Sequence, residues 1–399
     1  MAKPDLGIVS PLPPLPSGVA DYALEQARAL AGRWTVTFLV DDAQPDPTRF
    51  LPEGTRVERW SRWAARHERG TVKLLHHMGN NPQHEYVLDA LESHGGIVLL
   101  HELGLHNLMA YRTLGHGDET GYERLLRAEI SDLAPALSRA GALGIRSAFQ
   151  YALTPLCGSV ITASDGVIVH SPYAARELER RGCAKPVAIV PHFFAPRAVT
   201  NAAAAKARFG QGEDVIVFGS LGFMTDAKLT FQIIGTLGRL KQRLPPFRYL
   251  LVGEAGDAAP LRHALEAAGI ADRTTVTGYV DDVNFWAHLN ACDIVFSLRY
   301  PSGGETSGTL VRALGLGKAA IAFDYGPFAD FPDDALVKIP LDTQDSSALA
   351  EAVLALAGDA ARRAAIGRAA MADSAANRDP RTCADQISDF IMRACAASP

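Results

Sequence analysis

A chain of 399 residues exceeds the roughly 250–300 residues at which a single hydrophobic core stops growing, so two domains are expected. The formal net charge of -5 gives no general electrostatic affinity for nucleic acid, and 48% hydrophobic with 21% charged residues is an ordinary globular composition. Cys157, Cys183, Cys292, Cys383 and Cys395 are scattered without a CxxC pair or zinc spacing, and read as reduced residues of a cytoplasmic protein. Prolines interrupt the opening MAKPDLGIVSPLPPLPSG too early for a signal-peptide core, and no apolar run approaches the ~18 residues of a membrane span.

In chain order, the first strand candidate is LGIVS, followed by SPLPPLPSGVADYALEQARAL. The prolines stiffen that loop, Gly18 lets the backbone approach a ligand, and a helix starting near Val19 offers its N-terminus to an anion. A plain Pro/Gly turn reads equally well. The loop is not GxGxxG and lacks the acidic residue expected ~20 positions on, which speaks against a dinucleotide site. WTVTFLV is the next strand. The stretch 56–73, RVERWSRWAARHERGTVK, is locally basic and contains Trp60 and Trp63. It reads as a solvated amphipathic helix or as a peripheral contact with an anionic bilayer. TVKLLHHM, GIVLLHE, DGVIVHS and PVAIVPH complete the strands of the first half. Histidines gather after two of them: His76, His77 and His84, then His101 and His106, with Glu102 beside His101. Their spacing demands no metal, and several read as packing residues.

Between His192 and Glu213 the strand pattern lapses, which places the domains at 1–195 and 196–378. A helix at 379–399, entered at Pro380, is expected to pack back toward the first domain. DVIVFGS, FRYLLVG, RTTVTGY, CDIVFSL, KAAIAFD and ALVKIP are the strands of the second half, and the Ala-rich stretch 346–376 favours surface helices. Continuous apolar runs alternating with helical patterns predict an α/β fold of two Rossmann-like, doubly wound parallel-sheet domains. Lys228 is placed in the first turn of the helix after DVIVFGS, where it holds a phosphate as a point charge or is a solvated helix lysine. After CDIVFSL comes RYPSGGETSG. Gly304 to Thr309 lead into the helix SGTLVRALGLG, whose free N–H groups and positive dipole end suit a phosphate. Glu305, at that helix start, either caps it or accepts hydrogen bonds from hydroxyls beside the phosphate. A diphosphate next to a polyol is a nucleotide sugar.

RYPSGGETSGTLVRALGLGKAAIAFDYG resembles the donor-site motif of the family-4 glycosyltransferases, retaining enzymes of GT-B fold. Glu305 matches the motif's first glutamate and Gly308 its second glycine, while the second glutamate, which commonly holds the ribose, falls on Ala313. The departure points to a GETSG branch. SPLPPLPSGVADY resembles the family's N-terminal glycine loop. LLHHMGNNPQHEYVLDAL with GIVLLHELGLHNL resembles a paired pattern of that branch, which carries Asn80 and His84 in its first half. Lys228 matches the lysine of the family's phosphate pair. The arginine position holds Phe223, and Arg299 is placed to supply the missing charge.

The resemblance implies two domains facing a central cleft, and transfer of a sugar from a UDP-, GDP- or dTDP-sugar to a glycan or lipid-linked acceptor with retention. His101, Glu305 and Lys228 are the expected catalytic residues. Gly18, Lys228, Arg299, Ser307, Gly308 and Thr309 are expected at the donor phosphates, and Asn80, His84, His101, Glu102, Glu305 and Thr306 at the donor sugar or acceptor. No metal, bound cofactor or nucleic-acid partner is expected. The expected place is the cytoplasm, with 56–73 as the contact at the inner face of the membrane. A GT-B epimerase or sugar phosphorylase, and a catalytically silent nucleotide-binding scaffold, stay open as alternatives.

Overall fold

The computed structural model describes residues 3–197, 201–212, 214–341 and 346–396. Within the linker expected before Glu213, residues 198–200 and 213 lie outside the described residues. The chain divides into two compact units. The first comprises Met1–His192, Gly303–Thr306 and Pro380–Pro399, and the second Phe193–Ser302 and Ser307–Asp379.

The first unit holds a seven-stranded sheet built from β1 (Asp5–Val9), β2 (Thr35–Val40), β3 (Arg56–Arg59), β4 (Lys73–Met78), β5 (Ile97–Leu100), β6 (Gly166–Val169) and β7 (Val187–Ile189). Their order is β3-β2-β1-β4-β5-β6-β7, and every pairing is parallel. The apolar runs become these strands because helices cover both faces, so that Ile8, Leu75, Val98 and Ile168 are all fully buried. The last helix, Pro380–Ala396, belongs to this unit. Trp34 Nε1 donates to Ser388 Oγ at 2.9 Å, and Arg33 pairs with Asp385 and Asp389 at 3.3 and 2.8 Å.

The amphipathic helix expected over 56–73 is instead the edge strand β3, a five-residue helix Trp60–Ala64 and a turn. Arg59 donates to the carbonyls of Asp41 and Gln44, while Trp63 sits in the core with Trp60 stacked on it at 5.5 Å between ring centroids. Of the two indoles, Trp63 is buried and Trp60 half-buried against the core.

The second unit holds a six-stranded parallel sheet: β8 (Ile216–Leu221), β9 (Phe247–Val252), β10 (Thr274–Val276), β11 (Ile294–Phe296), β12 (Ala319–Phe323) and β13 (Val337–Ile339). The order is β10-β9-β8-β11-β12-β13. The Ala-rich helices pack rather than merely cover the surface: Leu349, Val353 and Leu356 of Ser347–Gly358 lie in the core.

In both sheets the chain reverses its direction of winding, between β1 and β4 in the first and between β8 and β11 in the second. Open parallel sheets bind ligands outside the carboxyl ends of strands at such points. The loops after β1, β4, β8 and β11 lie at these points.

Candidate functional site

In the second unit the loops after β8 and β9 are pressed together. Gly253 has φ +136°, and a Cβ there would stand 2.5 Å from the carbonyl oxygen of Gly222, whose own φ is +88°. Only glycine accommodates both the backbone angles and this approach. Lys228 was expected in the first turn of a helix. It lies instead in the 3-10 turn Asp226–Lys228, because Leu229 takes a left-handed conformation (φ 53°) before the helix Thr230–Leu240. The turn aims the ammonium back toward β8, where Lys228 Nζ donates to Leu221 O at 2.9 Å. The ammonium also lies 2.9 Å from the point where a Gly222 Cβ would stand, and Thr309 Oγ1 lies 3.7 Å from the same point.

Thr309 belongs to the helix Gly308–Gly315, which follows β11 and its loop. The cap of that helix is Ser307, whose Oγ accepts from Leu310 N at 3.3 Å. Glu305 thus stands before the helix and not at its cap. The first amides, of Gly308 and Thr309, have no acceptor inside the helix. Tyr300 N donates to Ala227 O at 2.8 Å, which ties the residue after Arg299 to the turn carrying Lys228. The second unit therefore gathers Lys228, Thr309 and the start of the helix around Gly222, with Arg299 beside the Lys228 turn. A pocket of about 510 Å³ opens next to this turn, lined by Met224, Thr225, Asp226, Phe231 and Asp257 among others. Phe223 is 48% exposed, whereas Ala313 is fully buried in the packing of its helix.

In the first unit, Gly303 O accepts from both Leu103 N and Gly104 N at 2.9 Å. Glu102 and Glu305 flank Gly303, with Glu102 Oε2 at 3.3 Å and Glu305 Oε2 at 3.4 Å from the point where a Cβ would stand. The Thr306 hydroxyl oxygen is buried and makes no hydrogen bond among the described residues. His101 follows β5 directly, and its Nε2 lies 3.1 Å from His77 Nδ1. Its ring centroid is 4.9 Å from that of Tyr22 and 5.4 Å from that of His170. Burial, reinforced by His77, His170, His192 and His84, holds the His101 pKa well below the ordinary histidine value. Burial likewise pushes His77 down to about 3.

The remaining candidates have local duties. Asn80 Oδ1 accepts from Leu108 N at 3.1 Å, at the start of the helix His106–Arg112. His84 is fully buried, with Nδ1 3.1 Å from Asn81 Oδ1. The His106 ring is held by Thr154 O and Tyr122 OH, each at 2.6 Å, and His76 Nε2 by Gly95 O at 2.8 Å. Gly18 is the first residue of the helix Gly18–Leu30, and a Cβ there would meet open space.

Sequence reading missed Tyr22, His170 and His192, which join the rings of His77 and His101 in one cluster, and Gln26, which is hydrogen-bonded to His77. A signal was present: β4 carries His77 next to its end, His101 and His170 directly follow β5 and β6, and His192 comes three residues after β7. Among the described residues, no group of three or more His, Cys, Asp or Glu is arranged to hold a metal ion, and no helix is long and apolar enough to cross a membrane.

No curated protein matches the chain in sequence. Solved structures do match it in fold. A sucrose-phosphate synthase from Thermosynechococcus elongatus superposes with a TM-score of 0.67 at 18% identity, covering 99% of this chain and 100% of its own. HepE of Anabaena, in complex with UDP and glucose, gives 0.64 at 14% identity over 98% and 99%. WaaG, a glycosyltransferase involved in lipopolysaccharide biosynthesis, gives 0.64 at 13% over 97% and 99%. At these identities the likeness establishes the fold: two Rossmann-like parallel-sheet domains of GT-B type. Residues 202–373, which contain Lys228, Arg299 and the helix Gly308–Gly315, match the family model of the glycosyl transferases group 1.

Proposed function

We propose that the protein is a retaining glycosyltransferase that moves a sugar from a nucleotide-sugar donor to a hydroxyl of a glycan or lipid-linked acceptor. One observation carries the reading. Lys228, Thr309 and the start of the helix Gly308–Gly315 converge on Gly222 at the winding reversal of the second sheet, inside the stretch similar to group 1 glycosyl transferases. An ammonium, a hydroxyl and amides without an acceptor inside their own helix, grouped around a glycine, form a cradle for a diphosphate. HepE, of the same fold, was solved with UDP and glucose, which favours a donor of this chemical class.

In this reading Lys228, Arg299 and the amides of Ser307, Gly308 and Thr309 stabilise the charge that grows on the departing diphosphate. Glu305, Thr306 and Glu102 take sugar hydroxyls, and orientation of this kind lowers the barrier by several kcal/mol. His101 contacts a substrate hydroxyl. The bond between the anomeric carbon and the phosphate oxygen breaks, and the acceptor oxygen bonds to that carbon on the same face. The acceptor proton passes to the departing phosphate oxygen. No side-chain nucleophile and no metal enters this scheme.

Thermal shift against UDP-, GDP-, ADP- and dTDP-sugars tests the donor class. A ligand at 100 times its dissociation constant adds about 2.7 kcal/mol. Stabilisation by one nucleotide series, with transfer to an acceptor and retained configuration by NMR, is the expected result. Stabilisation without transfer, epimerisation or phosphorolysis would make the chain a nucleotide-binding scaffold. The absence of any nucleotide effect would overturn the reading.

A further inference from the structure

We infer that Gln26 and His77 are positioning residues that fix the tautomer of His101, so that His101 presents the lone pair of Nδ1. The inference rests on the proposed function only for its consequence in catalysis. The tautomer itself follows from a chain of three hydrogen bonds within the first unit.

Gln26 lies on the helix Gly18–Leu30 and is 2% exposed, while His77 on β4 is fully buried. Gln26 Oε1 is 3.0 Å from His77 Nε2. With the carboxamide in this orientation its oxygen accepts, so His77 Nε2 carries the proton. A neutral imidazole has one N–H, which leaves His77 Nδ1 with a lone pair. His77 Nδ1 is 3.1 Å from His101 Nε2, so His101 Nε2 must be the donor there. A neutral His101 then carries its lone pair on Nδ1. The Gln26 amide is held in turn by Tyr22, whose hydroxyl oxygen lies 3.3 Å from Gln26 Nε2.

The chain works only while both rings are neutral, since a doubly protonated His77 would offer Nδ1 as a second donor and repel the His101 N–H. Burial provides that neutrality, helped by the crowding of His76, His84, His170 and His192 around the pair. Tyr22, packed on the same rings, is itself acted on by Glu25, on the same helix as Gln26, and by Cys383 on the last helix. The chemical result is a fixed acceptor. His101 receives a hydrogen bond from a substrate hydroxyl instead of alternating between acceptor and donor, and the entropy of choosing a tautomer is removed before substrate binds.

The test is a long-range 15N–1H correlation spectrum of the histidine rings in the unsubstituted protein at pH 7, without substrate. His101→Asn and His77→Asn variants identify the two sets of signals. Both rings are expected as Nε2–H tautomers. An Nδ1–H tautomer, or a rapidly averaging mixture, at either ring would overturn the inference. Gln26→Met keeps the volume and removes the acceptor. Its His101 signals should move to a tautomer mixture, and sugar transfer should fall on the order of 10-fold in kcat with nucleoside diphosphate affinity unchanged. Unchanged His101 signals in that variant would remove Gln26 from the chain. If the tautomers are as expected but the unsubstituted protein transfers no sugar, the proposed function fails while the hydrogen-bond chain stands.

Discussion

Ser307 Oγ accepts from Leu310 N at 3.3 Å and is thereby the cap of the helix Gly308–Gly315. This separates two duties that the glutamate in SGGETSG left entangled. Capping belongs to Ser307, and Glu305 has its carboxylate beside Glu102 against Gly303.

Two substitutions separate these duties experimentally. Ser307→Ala removes the cap and should lower stability by about 1 kcal/mol, read as a drop in the thermal midpoint. Glu305→Gln keeps shape but replaces a charged acceptor by a neutral one, which forms hydrogen bonds of roughly half the strength. Its thermal midpoint and its affinity for bare nucleoside diphosphate should match the unsubstituted protein. Turnover should fall by about 10–1000-fold. Near-normal turnover in Glu305→Gln would remove it from the sugar site.

The phosphate cradle makes a second prediction. Lys228→Ala deletes the ammonium at Gly222, and nucleoside diphosphate affinity should fall at least ~10-fold, about 1.4 kcal/mol. Arg299→Ala should weaken the same ligand, since its neighbour Tyr300 is bonded to the Lys228 turn. Calorimetry on both variants reads the result. Because Lys228 Nζ also holds Leu221 O, a thermal melt without ligand separates lost binding from lost structure. Unchanged affinity in both would place the diphosphate elsewhere.

Among the described residues twelve of the thirteen strands were legible as short apolar or β-branched runs; in the central ones, such as β1, β5, β6, β8 and β12, burial on both faces leaves little room for polar positions. β3 was not, because an edge strand with one packed flank can be Arg-Val-Glu-Arg. Lys228 and Glu305 were found as residue types in the right loops, but their placement depends on features local patterns hide. Leu229 in a left-handed conformation turns Lys228 back on β8, and Ser307 takes the cap from Glu305. The histidine cluster was missed for a topological reason. Residues 26, 77, 101, 170 and 192 are distant in sequence and meet because β1, whose following helix carries Gln26, lies beside β4, and β4, β5, β6 and β7 are successive neighbours in the sheet.

The close approach of the β8 and β9 loops predicts a sharp response at Gly253. Alanine there must adopt φ +136° with its Cβ 2.5 Å from Gly222 O, so the backbone has to shift. Gly253→Ala should lower the thermal midpoint by several degrees, corresponding to a cost of about 1–3 kcal/mol. It should also weaken nucleoside diphosphate binding, because Gly222 is displaced from beneath Lys228. Gly18→Ala is the contrast: its Cβ meets open space, and stability should hold. Equal melts for the two variants would refute the tight-loop argument.

The buried histidines of the first unit make stability depend on pH in a defined direction. His76 and His84 are pushed down to about 4 and His77 to about 3, in each case chiefly by burial. His106 is pushed down to about 4, again chiefly by burial and with Arg146 adding to it. In the unfolded chain these rings titrate near 6.5. Above that pH neither state binds the protons, and the four histidines contribute no slope. As pH falls below 6.5 the unfolded chain takes up protons that the folded one refuses, so stability is lost. The loss approaches about 1.4 kcal/mol per pH unit for each fully depressed ring, and it continues until the folded-state values near 3 to 4 are reached. The window from pH 6.5 to 5 is the informative one, because carboxylates with ordinary values are still mostly ionised there. Three of the four tryptophans, Trp34, Trp60 and Trp63, lie in this unit and Trp286 in the other, so urea unfolding followed by tryptophan fluorescence in a Trp286→Phe background reports on this unit. Midpoints should agree between pH 8 and 7 and fall steeply from 6.5 to 5. A flat midpoint across the whole range would mean that these rings are protonated in the folded protein, and with them the donor–acceptor chain through His77 would lose its basis.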